Sequence, residues 1–199
     1  MEDDRPYDPL DYGNLTINIV RELMTRGPFA LPIEADFEGP GVYALFYKGD
    51  FKPYKKLRSP DSTVPIYVGK AEPPGGRTGG TKLDASSHAL QNRIREHTRS
   101  IEQGSDINLE QFTCRYLVVV PLWIKMAERF LIEHYKPVWN VCLDGFGNHD
   151  PGAGRRQGEI TWWDAMHPGR AWADQLRQSR TRKDSVEHLH TFLAGQETR

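Results

Sequence analysis

Cysteine is scarce in this chain. Two in 199 residues, Cys114 and Cys142, stand far apart with no CxxC, which argues against a disulfide scaffold and a structural zinc site and fits a reducing cytoplasm. Long hydrophobic runs are missing as well. None approaches the ~18 residues of a membrane span, so no partnership with a membrane is expected. The opening stretch MEDDRPYDPLDYG is acidic and has no apolar stretch of the kind a secretory signal needs. There are no internal repeats and no low-complexity tracts. Net charge is nearly absent: 26 Lys+Arg against 27 Asp+Glu leaves −1, and such a balance gives no hint of a nucleic-acid partner. What is present, 38% hydrophobic and 27% charged residues over this length, suits one globular domain with appendages.

The near-neutral total hides a local imbalance. Residues 1–40 hold 3 basic and 9 acidic side chains, whereas residues 41–103 hold 11 and 6. That local excess permits a nucleic-acid partner, and a solvated mixed-charge surface would look the same.

Along the chain, residues 1–13 read as an acidic arm. Asn14 is placed to cap a helix over LTINIVRELMTRG, with Gly27 stopping it. GVYALFYK (41–48) and PIYVGKA (65–71) read as strands, most simply an antiparallel pair. The connection between them is basic and contains proline. EPPGGRTGGTKLD is a Gly/Pro-rich loop. Leu90, Ile94, His97 and Ile101 fall on one face of a helix predicted over 87–103. FTCRYLVVV (112–120) is a third strand, and Pro121 suits the first position of a helix running to about Tyr135, closed by Pro137. The passage after it is rich in loop residues, and the tail carries helical patterns near 161–178 and 185–194. The expectation is an α/β (α+β) fold: a small three-stranded central sheet flanked by helices, with N- and C-terminal extensions.

Several residues in these elements are out of place chemically. Glu128 sits among Ile124, Ala127, Leu131 and Tyr135 on an apolar helix face, where a carboxylate is costly unless it meets a cation or a metal. A Glu at the helix margin facing solvent would read the same way. Arg93 and His97 are i, i+4 and point the same way, and His97 falls within the apolar stripe. Taken singly, they would be a surface cation and a core histidine. Each of the first two strands carries a tyrosine near a glycine, Gly41-Val42-Tyr43 and Tyr67-Val68-Gly69. Strand-interior glycines often mark close approach of another backbone or a ligand.

As an ordered set, GVY, YVGK, Arg93 with His97, Glu128, and Asn140 in KPVWN resemble the GIY-YIG nuclease family over about half the chain, Gly41 to Asn140. The resemblance implies that Tyr43 and Tyr67 line the cleavage site, that Arg93 holds the scissile phosphate, that Glu128 binds one divalent metal (Mg²⁺ or Mn²⁺), and that Asn140 supports the architecture. Lys70 matches a residue often found in the family, and His97 matches part of it, in particular some restriction enzymes. The long GVY-to-YVG connection and the Gly-rich insert depart from the commonest pattern and look more like a type II restriction endonuclease acting at a GC-rich palindrome. On this reading residues 1–40 are an arm and helix. Residues 41–145 are the catalytic core with inserts at 49–64 and 72–86, and 146–199 are an extension that binds DNA and packs on the core. The implied protein is a cytoplasmic bacterial homodimer on double-stranded DNA, two subunits being the simplest way to break both strands of a palindrome. DNA contacts are expected from Lys52, Lys55, Lys56, Arg58, Arg77, Arg155 and Arg156, with Arg170, Arg177, Arg180 and Arg182 in the same basic stretch, because arginine to guanine is the commonest base-specific pairing. The other readings are a repair nuclease of the same fold, a non-catalytic DNA-binding module, and a metal hydrolase built on His188, His190 and His149-Asp150. In the last, His188 and His190 are only two positions apart, which turns them to different helix faces.

Overall fold

The computed structural model describes residues 8, 10–73, 87–150, 152 and 157–197. Its sheet is built from the strands expected. β2 (Gly41–Tyr47) pairs antiparallel with β3 (Tyr67–Ala71) on one side and β4 (Phe112–Val118) on the other. All seven residues of β2 are buried, which is why its sequence lacks polar alternation. A fourth strand, β1 (Phe29–Ala30), pairs with β4, so the order is β1-β4-β2-β3 rather than the three strands predicted. Two residues carry no period to read, and that is why β1 was not foreseen.

The sheet's two faces feed two apolar clusters. Val42, Ala44, Phe46 and Val68 pack against α1 (Tyr12–Met24) and α3 (Ile124–Tyr135) through Leu23, Ile124, Ala127 and Leu131. Tyr43, Leu45, Tyr47 and Tyr67 face α2 (Ala89–Gln103) through Leu90, Ile94 and Ile101. Trp139, Phe146, Trp163, Met166 and Leu189 extend this second cluster, so the last quarter of the chain shares the main core.

Local chemistry sets the boundaries. Asp11, not Asn14, caps α1: its carboxylate accepts from the backbone N–H of Gly13 at 2.8 Å and of Asn14 at 3.4 Å, while the Asn14 side chain donates to Asp8 O. Pro121 opens a 3-10 turn, Pro121–Trp123, ahead of α3, and Lys136 ends α3 in the left-handed region before Pro137. The insert between β2 and β3 contains a 3-10 helix, Lys52–Leu57, anchored by buried Tyr54. After the four-residue α4 (Val138–Val141), the helix predicted near 161–178 is broken into α5 (Trp162–Met166) and a 3-10 turn, Ala173–Gln175. Pro168-Gly169 causes the break. Gly169 has φ +143°, and a Cβ there would lie 1.8 Å from Gln103 O at the end of α2. The last helix is α6 (Arg182–Glu197). No described helix is long and apolar enough to cross a membrane.

Candidate active site

The site starts from strand register. Tyr43 lies directly opposite Gly69, and a Cβ on Gly69 would sit 2.5 Å from the Tyr43 hydroxyl. The glycine therefore makes the space into which the Tyr43 ring folds. Gly41 serves the next pairing in the same way, since a Cβ there would meet Leu117 O at 2.1 Å. Tyr67, two residues before Gly69, shares its face, and the Tyr43 and Tyr67 ring centroids are 6.1 Å apart. α2 brings Arg93 and His97 onto these rings. The His97 ring is 5.7 Å from Tyr43 and 5.2 Å from Tyr67, and it stacks on Phe146 at 4.5 Å. Arg93 donates through Nη2 to Gly147 O at 2.9 Å and through Nη1 to Glu96 Oε2 at 3.0 Å, and Nη1 also meets His149 Nε2.

Glu128 and Lys70 come from the other side of β3. Lys70 alternates with Tyr67 and Gly69 along the strand, so it emerges toward α3, where its Nζ pairs with Glu128 Oε2. Because β3 is the terminal strand, the two groups of residues meet around its edge. Glu128 is close enough that its charge pushes the Tyr67 phenol upward. Asn140 holds that edge in place: Val68 N–H donates to its Oδ1 and its Nδ2 donates to Val68 O, both at 2.8 Å. It thus fixes the residue between Tyr67 and Gly69.

Burial controls the protonation states. Removal from water raises the Tyr43 phenol well above its ordinary 10.0, Tyr67 adds to this, and the Arg93 guanidinium opposes it. Tyr67 is also raised by burial, with Arg93 opposing. Burial, then Arg93, His149 and Arg170, hold His97 well below its ordinary 6.5. At neutral pH both phenols keep their protons and His97 is an uncharged imidazole. Among the described residues nothing meets the Tyr43 hydroxyl or either His97 ring nitrogen in good hydrogen-bond geometry, and the Tyr67 hydroxyl interacts with that of Tyr43 only weakly. Leaving such groups unpaired costs ~1–3 kcal/mol each, and native proteins tolerate this chiefly where a ligand or a reaction uses them.

The basic residues divide into distinct sets. Lys52, Lys55, Lys56 and Arg58 are exposed on and just after the 3-10 helix. Lys52, Lys55 and Lys56 border a groove with His190, and Lys56 and Arg58 border a second with Lys136. Arg77, Arg155 and Arg156 lie outside the described residues. Arg170, expected at the DNA, is instead buried at 1% exposure, wedged between Trp163 and Trp172. Its partner Asp164 is equally buried, and the pair neutralises itself inside the fold. Arg177 and Arg180 pair with Glu159, and Arg182 with Asp106. His188 stacks on Trp162, and no group of three or more metal-ligating side chains exists among the described residues, which removes the support for the histidine-metal reading. Burial pushes Cys142 up to about 12 and Cys114 higher still, so both thiols are inert.

Phe146, Gly147 and Glu96, which surround His97 and Arg93, are not singled out by the sequence, and His149, read there as part of a histidine-metal set, instead meets Arg93. The one available signal was Gly145-Phe146-Gly147, an aromatic between two glycines in a loop.

Paired tyrosine-bearing strands, a helix presenting arginine and histidine, and a glutamate helix behind the edge strand make up the architecture of a GIY-YIG nuclease domain. Residues 35–192 match the Eco29kI GIY-YIG domain, a restriction-endonuclease family of that class, and the chain belongs to it. Comparison with curated proteins gives no match.

Proposed function

We propose that this protein is a type II restriction endonuclease that cuts double-stranded DNA at a specific GC-rich palindrome, acting as a homodimer with one divalent metal, Mg²⁺ or Mn²⁺, per site. The observation that supports it most is the gathering of Tyr43, Tyr67, Arg93 and His97 around unpaired buried polar atoms, with Glu128 and Lys70 at the same strand edge.

Phosphodiester hydrolysis needs a positioned phosphate, an activated water and relief of developing charge. Arg93 suits the phosphate because its planar fork reaches two oxygens at once. That role requires it to exchange Glu96 or His149 for the substrate. Tyr43 takes the proton from the attacking water, but its raised pKa denies it a standing phenolate. It must pass its own proton on as it receives one, and uncharged His97, whose unprotonated ring nitrogen has no partner among the described residues, is the adjacent acceptor. Tyr67 orients water or phosphate. Lys70 neutralises Glu128 in the absence of other cations.

The donor set fits a metal that keeps most of its waters. It offers a single carboxylate, 20% exposed, with Oε2 engaged by Lys70 and Oε1 unbonded among the described residues. Glu128 would hold Mg²⁺ or Mn²⁺, which when bound supplies Lewis-acid stabilisation of the phosphoryl charge. Incubation with phage DNA and Mg²⁺ tests the reading. Discrete fragments that end at one short palindrome support it, whereas nicking confined to branched DNA, or binding without cutting, overturns it.

A further inference from the structure

The stretch Gly145-Phe146-Gly147-Asn148 belongs to no helix or strand, yet two arginines take all four of its carbonyls. Arg170 takes three: Nη2 donates to Gly145 O at 2.9 Å, and Nη1 to Phe146 O at 3.1 Å and Asn148 O at 3.2 Å. Arg93 takes the fourth, donating to Gly147 O at 2.9 Å. The remaining Arg170 nitrogen, Nε, donates to Asp164 Oδ1 at 2.6 Å, while Asp164 Oδ2 accepts from Thr161 Oγ1 at 2.7 Å. Trp163 and Trp172 cover the guanidinium at 4.5 and 4.7 Å. A dehydrated cation is tolerated only when its donors are met, and here each Arg170 nitrogen is bonded. Thr161, Trp163, Asp164, Arg170 and Trp172 all come from the C-terminal segment.

Between the two arginines the loop touches the site. Phe146 stacks on His97 at an interplanar angle of 27° and meets Tyr67 edge-on at 4.8 Å. A Cβ on Gly147 would lie 2.9 Å from the Tyr67 hydroxyl and 3.7 Å from Arg93 Nη2. One backbone segment therefore contacts three of the residues assigned to the reaction.

We propose that Arg170 is a positioning residue for catalysis: by clamping the 145–148 loop from the C-terminal segment, it sets the placement of Arg93, Tyr67 and His97. This rests on the nuclease reading above. Arg170 meets no substrate and acts through the loop; its charge also bears on His97, and Arg170→Lys retains that charge. Three carbonyls in fixed directions call for a planar fork, which a lysine ammonium cannot reproduce while keeping the charge opposite Asp164.

Two variants separate positioning from mere structural support. Arg170→Lys keeps the charge and loses the fork. Gly147→Ala keeps the clamp and presses a methyl group toward the Tyr67 hydroxyl. With excess protein over DNA and added Mg²⁺, the single-turnover rate constant and the reaction amplitude are read separately, and DNA affinity is measured in EDTA. Both variants are expected to lose rate constant on the order of 10–100-fold, since ~1 Å of misplacement costs about that much, with little change in affinity. Parental rate constants in both, with only amplitude or melting temperature reduced, would make the clamp purely structural and overturn the proposal. A readout free of DNA and metal separates its failure from failure of the nuclease reading. The NMR shift of the His97 ring protons, set by stacking on Phe146, should move in Arg170→Lys relative to the parent. If those shifts stay put, the proposal falls even though the parent cuts DNA. If they move while the parent cuts nothing, the clamp stands and the nuclease reading fails. Should Arg170→Lys not fold, Asp164→Asn, which removes the charge that holds Arg170 Nε and leaves the loop itself unchanged, decides by the same rate constant.

Discussion

A single methyl group at Gly69 tests how tightly the Tyr43 hydroxyl is held. The Gly69 backbone is not in a left-handed conformation, so alanine brings no dihedral strain and the effect is purely steric. The new Cβ would stand 2.5 Å from the Tyr43 hydroxyl and 2.6 Å from Cζ, where ordinary contact begins at 3.4 Å. The Tyr43 ring is fully buried, with Tyr67 and His97 on either side, and cannot rotate away into solvent. Overpacking of this kind costs ~1–3 kcal/mol. In a chain of this size each kcal/mol lowers the melting temperature by roughly 2–4 °C. The displacement itself, on the order of 1 Å at the reacting hydroxyl, should reduce the single-turnover cleavage rate about 10²-fold. Gly69→Ala is therefore expected to melt several degrees lower and to lose far more activity than its folded fraction accounts for. If it melts lower yet cleaves at the parental rate per folded molecule, placement of the Tyr43 hydroxyl does not govern the reaction.

Three other outcomes follow from particular contacts. Asn140→Ala removes both bonds to Val68 and should cost ~1–3 kcal/mol in urea denaturation, with a drop in cleavage because β3 is freed between Tyr67 and Gly69; unchanged stability would show that the amide pair does not hold the edge. His97 and His167 both have folded-state pKa values below 6.5, pushed there mainly by burial. Below that pH the unfolded chain takes up protons that the folded chain refuses, so stability should fall as pH drops from about 6.5, by up to ~1.4 kcal/mol per pH unit for each histidine, and a flat urea midpoint from pH 7 to 5 would contradict this. Glu128→Gln should abolish Mg²⁺-dependent cutting, leave DNA binding in EDTA intact, and change the melting temperature little, because the pair it breaks is partly exposed; cutting at the parental rate would remove the metal-holding role.

Much of the site was legible because its residues contradict their local surroundings. Glycines in strands, a histidine in an apolar stripe and a carboxylate on an apolar helix face are each visible within a few residues of sequence. The antiparallel pairing of the first two strands was legible on other grounds, as the simplest arrangement of two consecutive strand patterns. The loop that fastens the site was not. Gly145–Asn148 works through its carbonyls, and a main-chain acceptor leaves no mark on residue type. Arg170 looked like any other arginine in a basic stretch, and its burial depends on Trp163, Trp172 and Asp164 meeting around it. Asp106 with His167 and Tyr54 is another case: three residues far apart in sequence form one buried hydrogen-bonded chain that no spacing announces.

Removing the Tyr43 hydroxyl tests the central claim most directly. In the folded protein this hydroxyl is buried with no partner in good hydrogen-bond geometry among the described residues, only a weak interaction with the Tyr67 hydroxyl, so Tyr43→Phe gives up little. The variant should melt at or slightly above the parental temperature, while its Mg²⁺-dependent single-turnover cleavage of double-stranded DNA falls by at least ~10²-fold, the typical contribution of a positioned base. Cleavage at the parental rate by a fully folded Tyr43→Phe would mean that the hydrolysis is carried out elsewhere.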